Sequence, residues 1–304
     1  MTPRDEPCGV LVVDKPAGIT SAGVVEQIRR CLHGARAGHT GTLDPLATGV
    51  LPVCIGEATK LAGHLIALDK GYEAELELGA ETDTLDATGA ITAEDRAGVA
   101  AVDEDALRAG LAAFTGDLDQ VPPLYSAVKI GGRRVHQRVR DGEQVELAPR
   151  RITVHRFALV DYRPPRARVE VACSKGTYVR SLVRDLGRAL GPGAHLTALR
   201  RTRSGQFDLG GAIPLDEVSP ARIRARLIRP ADALALPRVT VPPVLWRAVR
   251  DGAPRPFEHV VADTEEGAQF QMVTEDGDLL AVCTRVRGLP RFDRVFVYAV
   301  DAGA

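Results

Sequence analysis

The stretch from 38 to 49, GHTGTLDPLATG, places a histidine and a carboxylate in a glycine-rich, irregular context. Its three glycines and Pro45 fit neither helical nor strand periodicity, so a shaped loop is predicted. On such a loop, Asp44 can act as a nucleophile or a base if neighbouring cations keep it ionised. From spacing alone, the more common arrangement is a capped turn in which Asp44 binds backbone amides and His39 is a simple loop hydrogen-bonder. The spacing alone leaves both interpretations open.

The sequence contains none of the common cofactor signatures. There is no G-x-x-x-x-G-K-[ST] phosphate loop, no strand-linked G-x-G-x-x-G, no H-E-x-x-H and no G-x-S-x-G motif. The five cysteines are scattered, with no C-x-x-C pair, which is typical of reduced thiols and not of a disulfide framework or a zinc site. We therefore expect chemistry that uses side chains and substrate alone, with no cofactor and no metal.

Charge is distributed unevenly along the chain, although the net charge is only -1. Residues 71–120 carry 13 acidic and 2 basic side chains, whereas residues 129–206 carry 18 basic and 6 acidic ones. A basic region of that density is typical of a surface that binds nucleic-acid phosphates. A solvated surface whose arginines pair with the acidic segment would give the same counts.

Several elements are needed to position these groups. Apolar periodicity predicts a helix capped by Thr20 or Ser21, and further helices and strands. The other predicted helices are 57–68, 103–114 and 177–190, and the strands are 8–13, 50–55, 72–78, 125–130, 152–161, 167–173, 279–286 and 294–300. Arg180, Arg184 and Arg188 recur at helical spacing and form a basic stripe. The order of elements lacks a regular β-α-β rhythm, so the fold class is α+β.

Six prolines between positions 214 and 243 mark a change of domain. We expect a catalytic domain over 1–235 and a small β-rich domain over 236–304. No apolar run reaches the roughly 20 residues that a membrane span needs. The amino terminus shows no signal peptide, so a cytoplasmic location without membrane attachment is expected.

Segment 38–60, GHTGTLDPLATGVLPVCIGEATK, closely resembles the catalytic signature of the TruB family of tRNA pseudouridine synthases. Further matches follow the family order from about residue 10 to residue 207. They are the KPAG motif within 14–21, Gly71-Tyr72, the acidic motif TDTLD at 82–86, the proline turn VPPLYSAVK at 121–129, and CSKGTYVR at 173–180. Chance agreement of six ordered motifs is negligible.

The resemblance implies that Asp44 is the catalytic aspartate and that Arg180 pairs with its carboxylate. An arginine there would lower the pKa of the aspartate and fix its rotamer. Tyr72 matches the tyrosine that stacks on the target base and helps to remove its C5 proton. The implied reaction cleaves the N-glycosidic bond of a uridine, turns the uracil and rejoins it through carbon, without redox change.

The resemblance also implies residues that bind the substrate. His39 would fill the space that a flipped base vacates, Asp86 and Tyr178 would be secondary pocket residues, and Leu199 an apolar wall. Lys15 would support the active-site loops. Lys129, Arg133 and the other basic residues up to Arg140, together with the stripe that includes Arg184, would bind phosphates.

The implied fold is a mixed, mainly antiparallel sheet flanked by helices, with the cleft along its middle. The implied substrate is the T arm of tRNA, where the T-loop uridine at position fifty-five must be flipped out. Many members end in a PUA module, a small β-barrel that binds tRNA; residues 239–304 have the length and β-character, but no match specific to it. No Lys/Arg-rich tail is present, so we expect a monomer without guide RNA or an obligate protein partner.

Two other functions remain open at this point. The first is an RNA-binding or tRNA-folding factor with a vestigial catalytic centre, which would keep the basic surface but not isomerise uridine. The second is a metal-dependent hydrolase that uses His39 and Asp44, whose activity a chelator would abolish.

Overall fold

The computed structural model of the chain describes residues 7–126, 129–130, 133–135, 138, 141, 143 and 145–296. Within them, the strands are β1 (Gly9–Lys15), β2 (Ala37–His39), β3 (Thr48–Ile55), β4 (Lys70–Leu78), β5 (Ala80–Thr82), β6 (Ile91–Glu94), β7 (Gly116–Gln120), β8 (Lys129–Ile130), β9 (Arg133–Arg134), β10 (Arg150–Arg163), β11 (Arg166–Cys173), β12 (Ala194–Ser204), β13 (Phe207–Asp208), β14 (Ile213–Pro214), β15 (Arg238–Thr240), β16 (Gln269–Val273), β17 (Leu279–Val286) and β18 (Leu289–Val295). The α-helices are α1 (Ser21–Cys31), α2 (Ala62–Ile66), α3 (Glu104–Ala113), α4 (Val179–Leu190), α5 (Pro220–Arg226) and α6 (Trp246–Arg250).

A large mixed sheet forms the centre of the fold. Its strands follow the order β14-β1-β3-β12-β4-β11-β10-β7, with β2 added beside β3 and β13 beside β12. The pairs β1–β14 and β3–β12 are parallel, and the other pairs of this sheet are antiparallel. The predicted α+β class, with a mixed and mainly antiparallel sheet, is therefore confirmed.

The helices α1, α3 and α4 bury their apolar residues in one cluster with residues of this sheet. In α1, Val24 and Ile28 are buried, and the Thr20 hydroxyl caps the helix by accepting a hydrogen bond from the Gly23 amide (3.0 Å). In α4, Leu182 and Leu186 are among the apolar residues buried against the sheet and α3. Packing of these apolar residues fixes the rotation of α4 and therefore the position of Arg180 in its first turn.

A second, four-stranded sheet lies near the carboxyl end of the described chain. It has the order β15-β16-β17-β18 and its own apolar cluster, in which the rings of Phe257 and Phe292 meet edge to face at 5.9 Å. Another cluster joins Val12 and Leu61 of the first sheet's region to Leu279 and Val282 of the second. The β-rich carboxyl part packs against the part that contains the large sheet, while the boundary at 235/236 stays a prediction. Within the described residues, no helix is both long and apolar enough to cross a membrane.

Several elements differ from the sequence-based predictions. The predicted helix 57–68 is a 3-10 helix (Gly56–Leu61) followed by the short α2. In the predicted loop 38–49, residues 38–39 belong to β2 and residues 48–49 to β3. Tyr125 and Ser126 lie in a bend, and Lys129–Ile130 form a strand; residues 127 and 128 of the predicted strand 125–130 lie outside the described residues. The strand β12, in the centre of the sheet, was not predicted. Of the predicted strand 294–300, residues 297–300 lie outside the described residues.

Candidate active site

A cavity of about 210 Å³ opens where β4, β12 and the start of α4 meet the loop after β2. Four predicted site residues line it together with Asp44. Its lining is Gly41, Thr42, Leu43, Asp44, Ile66, Lys70, Tyr72, Ser126, Ser174, Gly176, Thr177, Tyr178, Val179, Arg180, Leu199 and Arg201. Distant parts of the chain thus converge on one site.

The loop that carries Asp44 is held by the segment that follows β1. The Ser21 hydroxyl accepts a hydrogen bond from the Leu43 amide (2.8 Å) and donates one to the Leu43 carbonyl (3.0 Å). The Gly18 amide donates to the Pro45 carbonyl (2.8 Å). These bonds fix the residues on both sides of Asp44, so the carboxylate has a defined position before any substrate binds.

Lys15 supports the same loop from beneath. Its side chain is fully buried, and its ammonium donates to the carbonyls of Pro16 (2.8 Å) and Pro45 (3.3 Å). Burial lowers the Lys15 pKa to about 8, although the nearby Asp44 carboxylate opposes that shift. The structure therefore places Lys15 behind the loop; it is not among the residues that line the cavity.

Asp44 forms an ion pair with Arg180, whose Nε lies 2.9 Å from Asp44 Oδ2. The Arg180 side chain is only 5% exposed, whereas that of Asp44 keeps 32% of its surface exposed. The guanidinium is therefore a fixed, buried element, and the carboxylate is presented to the cavity from it. Of the predicted site residues, these two are in direct contact, as the resemblance implies.

The remaining donors of Arg180 join two further segments to the site. Its Nη1 donates to the Thr84 carbonyl (2.7 Å) and its Nη2 to the Tyr125 carbonyl (2.9 Å). Asp86 Oδ2 lies 3.8 Å from Nη1. Between Thr84 and Asp86, Leu85 has a φ of 64°, a left-handed conformation that costs a non-glycine residue roughly 1–2 kcal/mol. This strained turn brings a carbonyl and a carboxylate to the same guanidinium.

Burial and charge act in opposite directions on Asp44. Burial raises the pKa of its carboxyl group above the ordinary value of 3.8, and the Arg180 charge opposes the rise. The nearby Asp86 carboxylate raises the pKa further, while the hydrogen bond from Arg180 and the charge of Lys15 lower it. Arg180 lowers the pKa of Asp44 as expected, but desolvation is the larger effect, so the net pKa lies above the ordinary value.

Tyr72 and Leu199 reach the cavity from neighbouring strands. Tyr72 lies on β4, partly buried, and pairs directly with Arg201 of β12, while Leu199 pairs with Ala74. Burial raises the Tyr72 pKa, and the charge of Arg201 and a hydrogen bond from it oppose the rise. Gly49 makes the close packing of β3 and β12 possible, since its φ is 100° and a Cβ there would lie 2.2 Å from the Arg201 carbonyl.

The other predicted pocket residues take different positions. Tyr178 precedes α4 and lines the cavity; its amide donates to Gln120 Oε1 (2.8 Å). Asp86 is 4% exposed and accepts hydrogen bonds from Thr84 and Thr88. His39 lies outside the cavity lining, and its buried Nδ1 has no hydrogen-bond partner among the described residues. Burial lowers the His39 pKa, with a smaller contribution from Arg201.

The predicted basic stripe on α4 is not one exposed surface. Arg180 is buried, Arg184 forms a 2.7 Å ion pair with Asp185, and Arg188 binds both carboxylate oxygens of Glu81 at 2.8 and 2.6 Å. The stripe prediction fails because long arginine side chains at helical spacing reach different tertiary partners. Arg184 still keeps one Nη2 contact to the Val121 carbonyl, at 3.4 Å.

The predicted phosphate-binding segment after residue 128 is only partly described. Arg133 is exposed and forms ion pairs with Asp141 (2.5 Å) and Glu143 (2.9 Å). The Lys129 backbone pairs with that of Arg134 in a short hairpin, and its side chain, like Arg140, lies outside the described residues. Phosphate binding by this segment stays a prediction.

Two buried cations beside the cavity were not predicted as functional residues. Arg201 is 1% exposed, and Lys70 is 7% exposed with its ammonium bonded to the carbonyls of Ile66 and Leu68. Burial lowers the Lys70 pKa to about 8, and Arg201 adds to that shift. Strand alternation could have identified them, because residues two apart on a strand face the same side of the sheet. Lys70 stands two residues before Tyr72, and Arg201 two residues after Leu199. In the part of the chain that the structure describes, no group of three or more His, Cys, Asp or Glu side chains could hold a metal ion.

Comparisons with known proteins assign the chain to a family. A family model described as TruB family pseudouridylate synthase, N-terminal domain, matches residues 29–179, and a model of the tRNA pseudouridylate synthase B C-terminal domain matches residues 180–238. The tRNA pseudouridine synthase B of Cupriavidus metallidurans is 43% identical over 305 residues, covering 96% of this chain and 95% of that protein. That of Aromatoleum aromaticum is 50% identical over 235 residues, covering 76% and 75%.

Solved structures with the same fold include a crystal structure of a Cbf5-Nop10-Gar1 complex. One chain of it superposes with a TM-score of 0.71 and 27% identity, over 97% of this chain and 88% of that one. A chain in an archaeal box H/ACA Nop10-Cbf5 complex gives a TM-score of 0.69 at 26% identity, over 97% and 90%. The likeness extends over both the large sheet and the carboxyl part.

Proposed function

We propose a specific reaction for this chain, which belongs to the TruB family of pseudouridylate synthases: it converts the T-loop uridine at position fifty-five of tRNA to pseudouridine at Asp44. The chain is a tRNA pseudouridine synthase, an isomerase that modifies RNA. The curated relatives that match 96% of its length carry that name. The position in the tRNA and the role of each residue are our proposal.

The observation that carries the proposal is the ion pair of Asp44 and Arg180 at the cavity, with Tyr72 in the same lining. Isomerisation needs an ionised carboxylate beside a nucleotide whose N1–C1′ bond breaks and whose C5–C1′ bond then forms. The fixed guanidinium holds Asp44 in one position and opposes its protonation, against the effect of burial. Asp44 would attack the ribose or the base, or abstract a proton to give a glycal; both routes use the same carboxylate.

The target uridine would enter the cavity by flipping out of its base stack in the T loop. The cavity of about 210 Å³ suits one flipped base and not a base pair. Flipping costs a few kcal/mol, and stacking on Tyr72 and contact with Leu199 would offset part of that cost. Tyr178 would contact the same nucleotide, and His39, which lies outside the lining, would fill the space left in the T loop.

We further propose that the chain acts in the cytoplasm as a monomer, without guide RNA or an obligate protein partner. The structural neighbours stand in complexes with Nop10 or with Nop10 and Gar1, whereas the relatives at 43% and 50% identity are named as tRNA enzymes. The β-rich residues 236–304 would add contacts to the tRNA, and Arg133, Arg184 and Lys129 would bind phosphates of the T arm.

The proposal is tested with Asp44→Asn and a T-arm RNA in which only the target uridine can be modified. Pseudouridine formation is expected to fall by roughly a thousandfold or more, because the substituted amide cannot act as nucleophile or base. Binding of the RNA is expected to stay within about threefold of the parent, since phosphate contacts supply most of the affinity. The matched control is Asp69→Asn, which removes an exposed carboxylate that pairs with His155.

The same experiment separates the alternative functions. An RNA-folding factor with a vestigial centre would bind the RNA but form no pseudouridine even as the parent protein. A metal-dependent hydrolase would lose activity with a chelator and would cleave the RNA. Normal turnover by Asp44→Asn would show that the proposed chemistry is wrong.

A further inference from the structure

A second arginine, Arg201, stands beside the cavity without a role in the reaction described so far. It is 1% exposed and lies on β12 directly opposite Tyr72 of β4. Directly paired residues on antiparallel strands have Cβ atoms about 5 Å apart, so the two side chains contact each other on one face of the sheet. The register of β4 and β12 therefore places the Arg201 guanidinium beside Tyr72, as Arg180 lies beside Asp44.

Backbone carbonyls hold this guanidinium in place. Arg201 Nε donates to the Val50 carbonyl (2.7 Å) and Nη2 to the Gly41 carbonyl (3.1 Å). Gly41 belongs to the loop that carries Asp44, called the catalytic loop below, and a Cβ there would lie 3.5 Å from Arg201 Nη1. Arg201 thus joins β3 and the catalytic loop behind Tyr72, and its position is fixed by bonds that need no substrate.

The charge of Arg201 lacks the compensation that Arg180 has. Among the described residues, Arg180 has two carboxylates within 4 Å, whereas Arg201 has no carboxylate in ion-pair contact. A buried cation without an anion is costly, so its retention at the sheet centre calls for an anion that is present during part of the reaction. The phenol of Tyr72 can become that anion, because it is the ionisable group paired with Arg201 across the strands.

We propose that Arg201 is a positioning residue for Tyr72: it holds the phenol at the cavity and stabilises its phenolate, which takes the C5 proton of the rejoined base. This inference rests on the proposed function. The C5–H bond breaks and its electron pair forms the C5–C6 double bond. The pair of the former C6–N1 double bond moves to N1, which takes a proton from water. The proton from C5 goes to the phenolate oxygen and from there to water before the next turnover.

Arg201 could instead serve only to tie β3 and the loop to β12. The two roles differ in what happens when Tyr72 cannot ionise. If Arg201 acts through Tyr72, its loss adds nothing to the defect of Tyr72→Phe. If it only ties the strands together, its loss slows the reaction by the same factor in both backgrounds.

The test is a single-turnover reaction at saturating enzyme on T-arm RNA with hydrogen or deuterium at C5 of the target uridine, followed across pH. Arg201→Met is expected to slow product formation about tenfold at neutral pH, the value of one pKa unit of lost phenolate stabilisation. Its C5 isotope effect should exceed that of the parent, and its rate should recover as the pH rises. Arg201→Lys, which keeps the charge, should regain part of the rate.

The matched control is Arg203→Met, an exposed arginine of the same strand whose guanidinium bonds only to the Gly205 carbonyl among the described residues. Its isotope effect and pH profile should equal those of the parent. An unchanged isotope effect and pH profile in Arg201→Met, or an equal further loss in the Tyr72→Phe background, would overturn the inference while leaving the proposed function intact. A parent protein that forms no pseudouridine would instead refute the proposed function.

Discussion

The two ends of α4 carry arginines of the same sequence pattern in opposite environments. At the first turn, Arg180 is buried and bound to Asp44 and to the carbonyls of Thr84 and Tyr125. At the last turn, Arg188 has a side chain that is 59% exposed and is paired with Glu81. Helical spacing places both on one side of α4, but the loops packed around each end decide whether the guanidinium organises a site or a surface.

The largest effect that separates the two ends is expected for Arg180→Met. Its loss leaves Asp44 and Asp86 close together without their common cation, and two carbonyls lose their donor. Breaking a buried pair on one side costs roughly 3–5 kcal/mol of unfolding free energy. Single-turnover pseudouridine formation should also fall roughly a hundredfold or more. Chemical denaturation tests the loss of unfolding free energy, and a rate measurement on the folded fraction tests the loss of activity.

If Arg180→Met kept both the stability and the rate of the parent, the proposed difference between the two ends of α4 would be contradicted. Arg184→Met is a useful intermediate control, because that side chain is 13% exposed and pairs with Asp185, which is not part of the cavity. It should fold normally and, if it contacts phosphate, change binding more than the rate of the chemical step.

The pH dependence of the reaction sharpens the comparison. The active form has Asp44 ionised, so the rate should be full above the Asp44 pKa and fall as the pH drops through it, at a pH above the ordinary 3.8. Removing the Arg180 charge with Arg180→Gln should move this acid limb to higher pH, because that charge opposes the rise. Arg188→Gln should leave it in place. Single-turnover rates across the acid range provide the measurement.

The unfolding free energy should also depend on the ionisation of Asp44, but this contribution should fall, not rise, with increasing pH. Because the pKa of Asp44 is raised in the folded state, the contribution of its protonated form is fully present below 3.8 and is lost as the pH rises through the raised value. Asp44→Asn should remove this component from the pH dependence of unfolding. An acid limb at or below 3.8 in the parent would contradict the balance of burial and charge described for the site.

The sequence predicted much of the site because its motifs specify local structure. The loop at 38–49 contains both Asp44 and the glycines that shape it, and Arg180 opens the clearest apolar helix. Contact between Arg180 and Asp44 could be expected only through the resemblance, since 136 residues separate them and no local pattern records their contact. The same reason explains the stripe error, because periodicity gives a side of a helix but not what packs against it.

Arg201 and β12 mark the limit of prediction from periodicity. The run ALRRTRS has basic residues at alternating and adjacent positions, which favours an exposed segment on average charge. In the structure it is a central strand, and the buried guanidinium donates hydrogen bonds to the carbonyls of Val50 and Gly41. The sequence also did not distinguish the 3-10 helix after β3 from an α-helix, because its apolar spacing is compatible with both helix types.

The smallest effect is expected at the exposed end of α4. Arg188→Met removes a pair with Glu81 that is largely open to solvent on the arginine side, so unfolding free energy should change by less than about 1 kcal/mol. Because exposed pairs are screened, that difference should shrink further at high salt. Pseudouridine formation should match the parent. A loss of activity like that of Arg180→Met would erase the distinction between the two ends.

The most direct measurement is a structure of the protein bound to T-arm RNA with 5-fluorouridine at the target position. We expect an everted nucleotide in the cavity against Tyr72, with an Asp44 carboxylate oxygen within about 3.5 Å of its ribose C1′ or its base and the Arg180 pair intact. A nucleotide bound there with Asp44 turned away from both, or a target base still stacked in the T loop, would contradict it.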